Sequence, residues 1–174
     1  MSIVDGFPPI AGKSAKVLIL GSMPSVASLS KGQYYGHPRN AFWPIMRQLF
    51  GAGPELDYRK RSRILIEHHV AVWDVLQTCF RSGSADANID VDSIKINDFN
   101  RFFEQHRDIK RVLFNGGAAE SLYRKHVLPI LNSRFNHLEY QRVPSTSPAY
   151  AAMSLERKTM AWKAALTIVV NGRQ

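Results

Sequence analysis

Four short apolar runs, separated by stretches of helical periodicity, constrain this chain more than any other feature. They cover residues 16–20 (KVLIL), 70–73 (VAVW), 111–114 (RVLF) and 138–143 (LEYQRV). The first three are nearly all apolar, as expected of strands covered on both faces, and the fourth alternates as an edge strand does. Helical spacing marks residues 42–50, 58–68, 96–106, 118–131 and 154–170. In the third of these stretches Ile96, Phe99, Phe102 and Phe103 recur at three-to-four spacing, with Asn97 as a candidate cap; Leu122, Leu128 and Leu131 follow the period more loosely. Strands alternating with helices predict an α/β fold, a three-layer α/β/α sandwich around a central four-stranded parallel sheet. With no internal repeat, low-complexity tract or linker in 174 residues, one domain spanning 1–174 is expected.

Parallel sheets of this kind bind ligands beyond the carboxyl ends of their strands, so unusual residues are expected just after each strand. They are there. The first run leads into Gly21 to Ser25 (GSMPS), the second into Asp74 and the polar loop Arg81 to Asp86 (RSGSAD), the third into Asn115 to Gly117 (NGG), and the fourth into Pro144 to Tyr150 (PSTSPAY). Charge narrows the choice of ligand. Lys plus Arg number 23 against 14 acids, a formal net charge of +9 and a pI near 9.9. Such a balance is one footprint of nucleic-acid binding, and equally of a basic soluble protein. The cations are spread along the chain, from Arg39 and Arg47 through Arg59–Arg63 to Arg107–Arg111, which favours a basic face over a binding tail. Cys79 stands alone, so an internal disulfide and a Cys-based metal centre are excluded. His68 and His69 are adjacent and point apart, which argues against a shared metal. No apolar run approaches the ~20 residues of a membrane span, and the start of the chain lacks the pattern of a leader. A cytoplasmic monomer without a cofactor, metal or membrane partner is expected.

The densest segment is Gln33 to Trp43 (QYYGHPRNAFW). Gly-x-x-Pro after the first strand, followed by aromatic-x-His-Pro-x-Asn-x-Phe-Trp, resembles the first motif of mismatch-specific uracil/thymine-DNA glycosylases. Pro-Ser-Thr-Ser-Pro-Ala after the last strand looks like the second motif of the uracil-DNA glycosylase superfamily, a loop that presses into DNA. The combination is similar to the hypoxanthine-DNA (deoxyinosine) glycosylase branch, and the resemblance extends over nearly the whole chain. The sequence departs from the mismatch enzymes where their Gly-Ile-Asn-Pro carries a catalytic Asn, because Ser22, Met23 and Pro24 stand there. The histidine of the second motif in uracil enzymes is also absent, with Ser145 near its place.

The resemblance implies hydrolysis of an N-glycosidic bond in DNA containing deaminated bases. Such an enzyme stabilises the leaving base, positions a water and flips the nucleotide into a pocket. Asn40 is then the nearest candidate to orient water, with Ser22 as the second catalytic candidate; Asn40 could also cap the helix at Phe42, a role that does not exclude the first. Tyr35 stands where the family stacks an aromatic under the base, or is a packing residue. Asn115 stands where uracil enzymes read the base edge, or forms a turn before Gly116. Met23 and Phe42 complete the base-binding set, although Phe42 and Trp43 also read as helix core. Pro24, Ser25, Ser145, Thr146, Ser147, Pro148, Ala149 and Tyr150 are candidates for DNA contact, with Ala149 or Tyr150 as the wedge. His37 is expected to brace its loop, and Asp74 to accept backbone N–H bonds, with a part in water positioning left open. The loop 81–86 either touches DNA or is solvated. Lys31 has no surroundings suited to a lyase nucleophile. The alternatives to a hypoxanthine enzyme are a mismatch-specific uracil/thymine enzyme and a non-catalytic DNA-binding module.

Overall fold

Residues 2–170 are described by the computed structural model. The chain runs β1 (Ser2–Asp5), β2 (Val17–Gly21), α1 (Val26–Lys31), α2 (Phe42–Phe50), α3 (Tyr58–Glu67), β3 (Val70–Asp74) and β4 (Leu76–Arg81). It continues through β5 (Lys95–Ile96), α4 (Phe99–Gln105), β6 (Arg111–Asn115), α5 (Gly117–Leu122), β7 (Glu139–Val143), α6 (Leu155–Ala165) and α7 (Thr167–Val170).

The four apolar runs form one parallel sheet in the order β3-β2-β6-β7, with the alternating β7 at an edge. Successive side chains of a strand point to opposite faces, which divides the core in two. Val17, Ile19, Val70, Val72, Leu113 and Val143 pack with Phe42, Trp43 and Met46 of α2, Leu65 of α3 and Trp162 of α6. Leu18, Leu20, Ala71, Trp73, Val112 and Phe114 pack with Phe99, Phe102 and Phe103 of α4 and with Tyr123. Helices therefore cover both faces, and the expected three layers are present. The register pairs Gly21 with Asp74 and Asn115 with Val143, so all four carboxyl ends reach one rim. Strand order reverses between β2 and β6, since β3 is added on one side of β2, and β6 and β7 on the other, and the crevice between the loops after β2 and β6 is the expected binding position.

Three departures from the sequence reading have local causes. A second, antiparallel sheet of order β1-β4-β5 flanks the first. It was hidden because β4 follows β3 with only Val75 between them, so the two strands read as one run and a loop. The third helical stretch yields α4, which starts at Phe99, and Asp98 rather than Asn97 caps it, accepting the Arg101 N–H at 3.0 Å. Asn97 instead donates from Nδ2 to the carbonyl of Asp74, 2.8 Å away. The stretch 118–131 breaks after α5 into a π turn over Tyr123–Val127 and a 3₁₀ turn over Leu128–Ile130; Pro129 lacks the N–H an α-helix would need there. No helix among the described residues is long and apolar enough to cross a membrane.

Candidate active site

The loops on the carboxyl rim enclose a cavity of about 360 Å³. Gly21, Ser22, Met23, Pro24 and Ser25 line it from β2, Asp74 from β3, Asn115 from β6, and Ser145 to Ala149 from the loop after β7. Tyr35, His37 and Asn40 close it from the segment before α2. A smaller cavity of about 220 Å³, under Phe103, Phe135 and Leu138, lies at the amino ends of β6 and β7, away from these residues.

Tyr35 is the strained member. Its φ of 55° puts a bulky residue in the left-handed region, a conformation that persists only where neighbours over-determine it. They do so on both sides. The Tyr34 N–H donates to the Tyr58 hydroxyl (3.1 Å), its own hydroxyl donates to the Pro8 carbonyl (2.8 Å), and its carbonyl accepts from Trp43 Nε1 (2.9 Å). On the other side the Gly36 N–H donates to Ser28 Oγ at 3.0 Å. The Tyr35 ring is thereby laid on Phe42, with centroids 4.1 Å apart and planes 25° from parallel. Phe42 is wholly buried beneath it and does not line the cavity. The structure thus corrects its placement among residues in contact with a base: it supports the aromatic that faces the cavity.

Asp74 departs from expectation more sharply. Among the described residues no backbone N–H donates to its carboxylate; Oδ2 is buried without a partner there, and so is Tyr35 Oη. Both converge on Gly21, where an added Cβ would stand 2.6 Å from Asp74 Oδ1 and 3.3 Å from Tyr35 Oη. The first motif needs glycine there because the strand end and this polar pair share one space. Burial, reinforced by the Asp86 carboxylate and only partly opposed by Arg81, pushes the Asp74 carboxyl up to about 7. Burial also raises the Tyr35 phenol, with Asp74 adding to the rise and the Asn115 side chain opposing it.

Asn40 has one bond through its side chain, accepting the Phe42 N–H on Oδ1 at 2.9 Å. The cap position of α2 falls to Ala41, which has no side-chain cap bond, so Asn40 supports the first turn from one residue earlier; its amide N–H groups have no protein partner among the described residues. Asn115 is more committed: Nδ2 donates to Thr146 Oγ1 and Oδ1 accepts the Thr146 N–H, each at 2.9 Å. The Thr146 carbonyl in turn accepts the Ala41 N–H at 2.9 Å. Thr146, only 1% exposed, therefore locks the last loop to the end of β6 and to the start of α2, and its side chain is turned away from solvent. Gly116, with φ 92°, makes room for this contact, since a Cβ would lie 3.0 Å from that of Ser145. His37 braces its loop by accepting the Arg39 N–H on Nδ1, 3.1 Å away. Tyr150 lies outside the cavity, 40% exposed, on an adjoining groove.

Asp86 was not singled out from sequence, yet it reaches the cavity from the loop after β4, and the Ser22 hydroxyl donates to its Oδ1 at 2.6 Å. That loop is held against the first motif by Arg81, which donates to the carbonyls of Pro24 and Gly83, and by Ser84 Oγ, which accepts the Val26 N–H. Only the hidden strand β4 brings Asp86 here. For Asp74 a signal existed: an acid closing an otherwise apolar strand.

Chemically, the cavity offers an aromatic floor, a buried carboxyl without a partner, a partly free amide and a rigid serine-rich rim. Comparison with known proteins is consistent with that inventory. The model of the Uracil DNA glycosylase superfamily matches residues 8–167. A Hypoxanthine DNA glycosylase of Methanosarcina acetivorans is 33% identical over 163 residues, covering 93% of this chain and 97% of the relative. A second protein of that name, from Methanosarcina barkeri, is 37% identical over 124 residues, 69% of this chain and 77% of its own. A solution NMR structure from Methanosarcina acetivorans, provisionally named a uracil DNA glycosylase, superposes with a TM-score of 0.79 at 30% identity, covering 97% and 99% of the two chains.

Proposed function

The chain belongs to the Uracil DNA glycosylase superfamily, and from that premise we propose that it is a monofunctional DNA glycosylase of base excision repair whose chief substrate is hypoxanthine. The observation that carries the reading is the floor formed by Tyr35 and Asp74. A flipped purine stacks on the Tyr35 ring, which Phe42 backs. Its lactam edge needs one donor and one acceptor, and the protonated form of the Asp74 carboxyl, which burial keeps populated up to about pH 7, offers both. Asn115, read from sequence as the edge reader, spends its amide mainly on Thr146 and acts by holding the last loop in place.

Asn40 orients the attacking water. One lone pair of Oδ1 is occupied by the Phe42 N–H, which fixes the amide plane and leaves the other to accept from water. Ser22 is tied to Asp86 and shapes the opposite wall rather than replacing the missing amide. Bond cleavage then relies on positioned water and on stabilising negative charge on the departing base.

Duplexes carrying a single hypoxanthine, xanthine, uracil or thymine, scored for alkali-labile abasic sites, test the proposal. Hypoxanthine is expected to be released fastest. Abasic sites from uracil or thymine alone would assign the mismatch activity instead, and none from any duplex would leave a binding module.

A further inference from the structure

The loop after β7 is clamped at both ends by one face of α6. Trp162 Nε1 donates to the Pro144 carbonyl at 2.9 Å, and one turn earlier Lys158 Nζ donates to the Tyr150 carbonyl at 2.7 Å. A wholly buried Trp162 is ordinary core. Lys158 is not, because it is only 5% exposed and none of the ion pairs among the described residues includes it. Burial lowers its pKa. A neutral carbonyl and the Tyr150 ring, 5.1 Å away, are its compensation. An ammonium withdrawn from water without a carboxylate is costly, and the cost is recovered where an anion arrives.

The surroundings indicate which anion. Lys158 lines a groove of about 230 Å³ together with Arg39, Thr146, Ser147, Pro148 and Tyr150, and no acidic residue lines it. Arg39 is exposed and joins no ion pair among the described residues either. The groove and the base cavity share Thr146, Ser147 and Pro148 as a common wall, but the cavity carries Asp74 and Asp86. A nucleotide with its base in the cavity is tied through its sugar to phosphates that lie at the cavity mouth. We propose that the groove between Arg39 and Lys158 binds a DNA backbone phosphate next to the flipped nucleotide. Lys158 has three donors and spends one on Tyr150, so the residue that grips the phosphate also holds the wedge loop. This inference rests on the DNA-glycosylase reading.

Lys158→Gln removes the charge while keeping an amide donor on the side chain that faces the Tyr150 carbonyl. Binding to a duplex with an uncleavable abasic analogue is measured across a salt series for wild type, Lys158→Gln, Lys158→Arg and Arg39→Gln. Each phosphate contact contributes a slope of about −0.9 in log K against log salt. Lys158→Gln and Arg39→Gln are each expected to be shallower than wild type by about 1, with equal losses on damaged and undamaged duplex, while Lys158→Arg keeps the wild-type slope. Arg39 is exposed, so its variant carries the test should Lys158→Gln fail to fold. A wild-type slope in Arg39→Gln or in folded Lys158→Gln overturns the phosphate site and leaves the glycosylase reading intact. No binding of any duplex by wild type removes that reading as well.

Discussion

The Asn40 side chain makes one structural contact and keeps unused capacity toward the cavity. Its Oδ1 receives the Phe42 N–H at the start of α2, and its remaining amide capacity faces the cavity. Asn40→Ala separates them by magnitude. Losing a preorganised polar group at the reacting centre is expected to slow single-turnover release of hypoxanthine by ~10²-fold or more. Losing the cap-like bond is expected to lower stability by only ~1 kcal/mol, which cannot account for a rate defect in folded protein. Binding to an abasic analogue is expected to change little. An Asn40→Ala enzyme that releases hypoxanthine at full rate removes the catalytic assignment.

Among the elements, the loop after β7 is held at more points than an ordinary proline–serine turn. Thr146 joins it to Asn115 and Ala41, and α6 clamps it through Lys158 and Trp162. On the proposed reading, in which this loop is the wedge, such fixing spares the cost of ordering it on insertion. Thr146→Val keeps the shape of the side chain and both backbone bonds but removes the Oγ1 acceptor, stranding one Asn115 N–H. The expected loss is about 1–2 kcal/mol in chemical denaturation, accompanied by slower release of hypoxanthine. Unchanged stability together with an unchanged rate would show that the lock contributes nothing. The same elements explain Tyr35: its left-handed backbone is stable because α1, α2, α3 and the segment before β2 hold its neighbours.

At the scale of the whole molecule, Asp74 couples the site to global stability. Its carboxyl titrates near 7 in the folded protein, against about 4 in an unfolded chain, chiefly through burial and then through Asp86, with Arg81 in opposition. Below pH 4 both states are protonated and the residue costs nothing. Between pH 4 and 7 the folded state holds a proton that the unfolded state has released, so stability falls as pH rises, and above pH 7 the penalty is complete. Asp74→Asn is therefore expected to be more stable than wild type at pH 8, by up to a few kcal/mol, with the difference closing toward pH 4. Denaturation of both proteins at pH 4.5 and pH 8 measures it. A difference independent of pH would mean that the carboxyl is not held neutral.

The sequence by itself determined the layered framework and the place of the site. Each run of the main sheet is short, apolar and bounded by turn residues, so its state depends on burial that local composition already announces; Val17–Gly21, Val70–Asp74 and Arg111–Asn115 are such cases. Tyr35 and Asn40 stand out through the resemblance of the segment 33–43 to a family motif, which periodicity alone does not supply. Only the tertiary structure decided what surrounds them. Asp74 is buried at Gly21 beside Tyr35, which comes from a distant segment, Asp86 arrives through an antiparallel strand hidden behind Val75, and Asn115 is claimed by Thr146. Phe42 became a support for Tyr35 for the same reason. A pKa, a stacking partner and a hydrogen-bond commitment depend on groups far apart in the chain, and local periodicity carries no record of them.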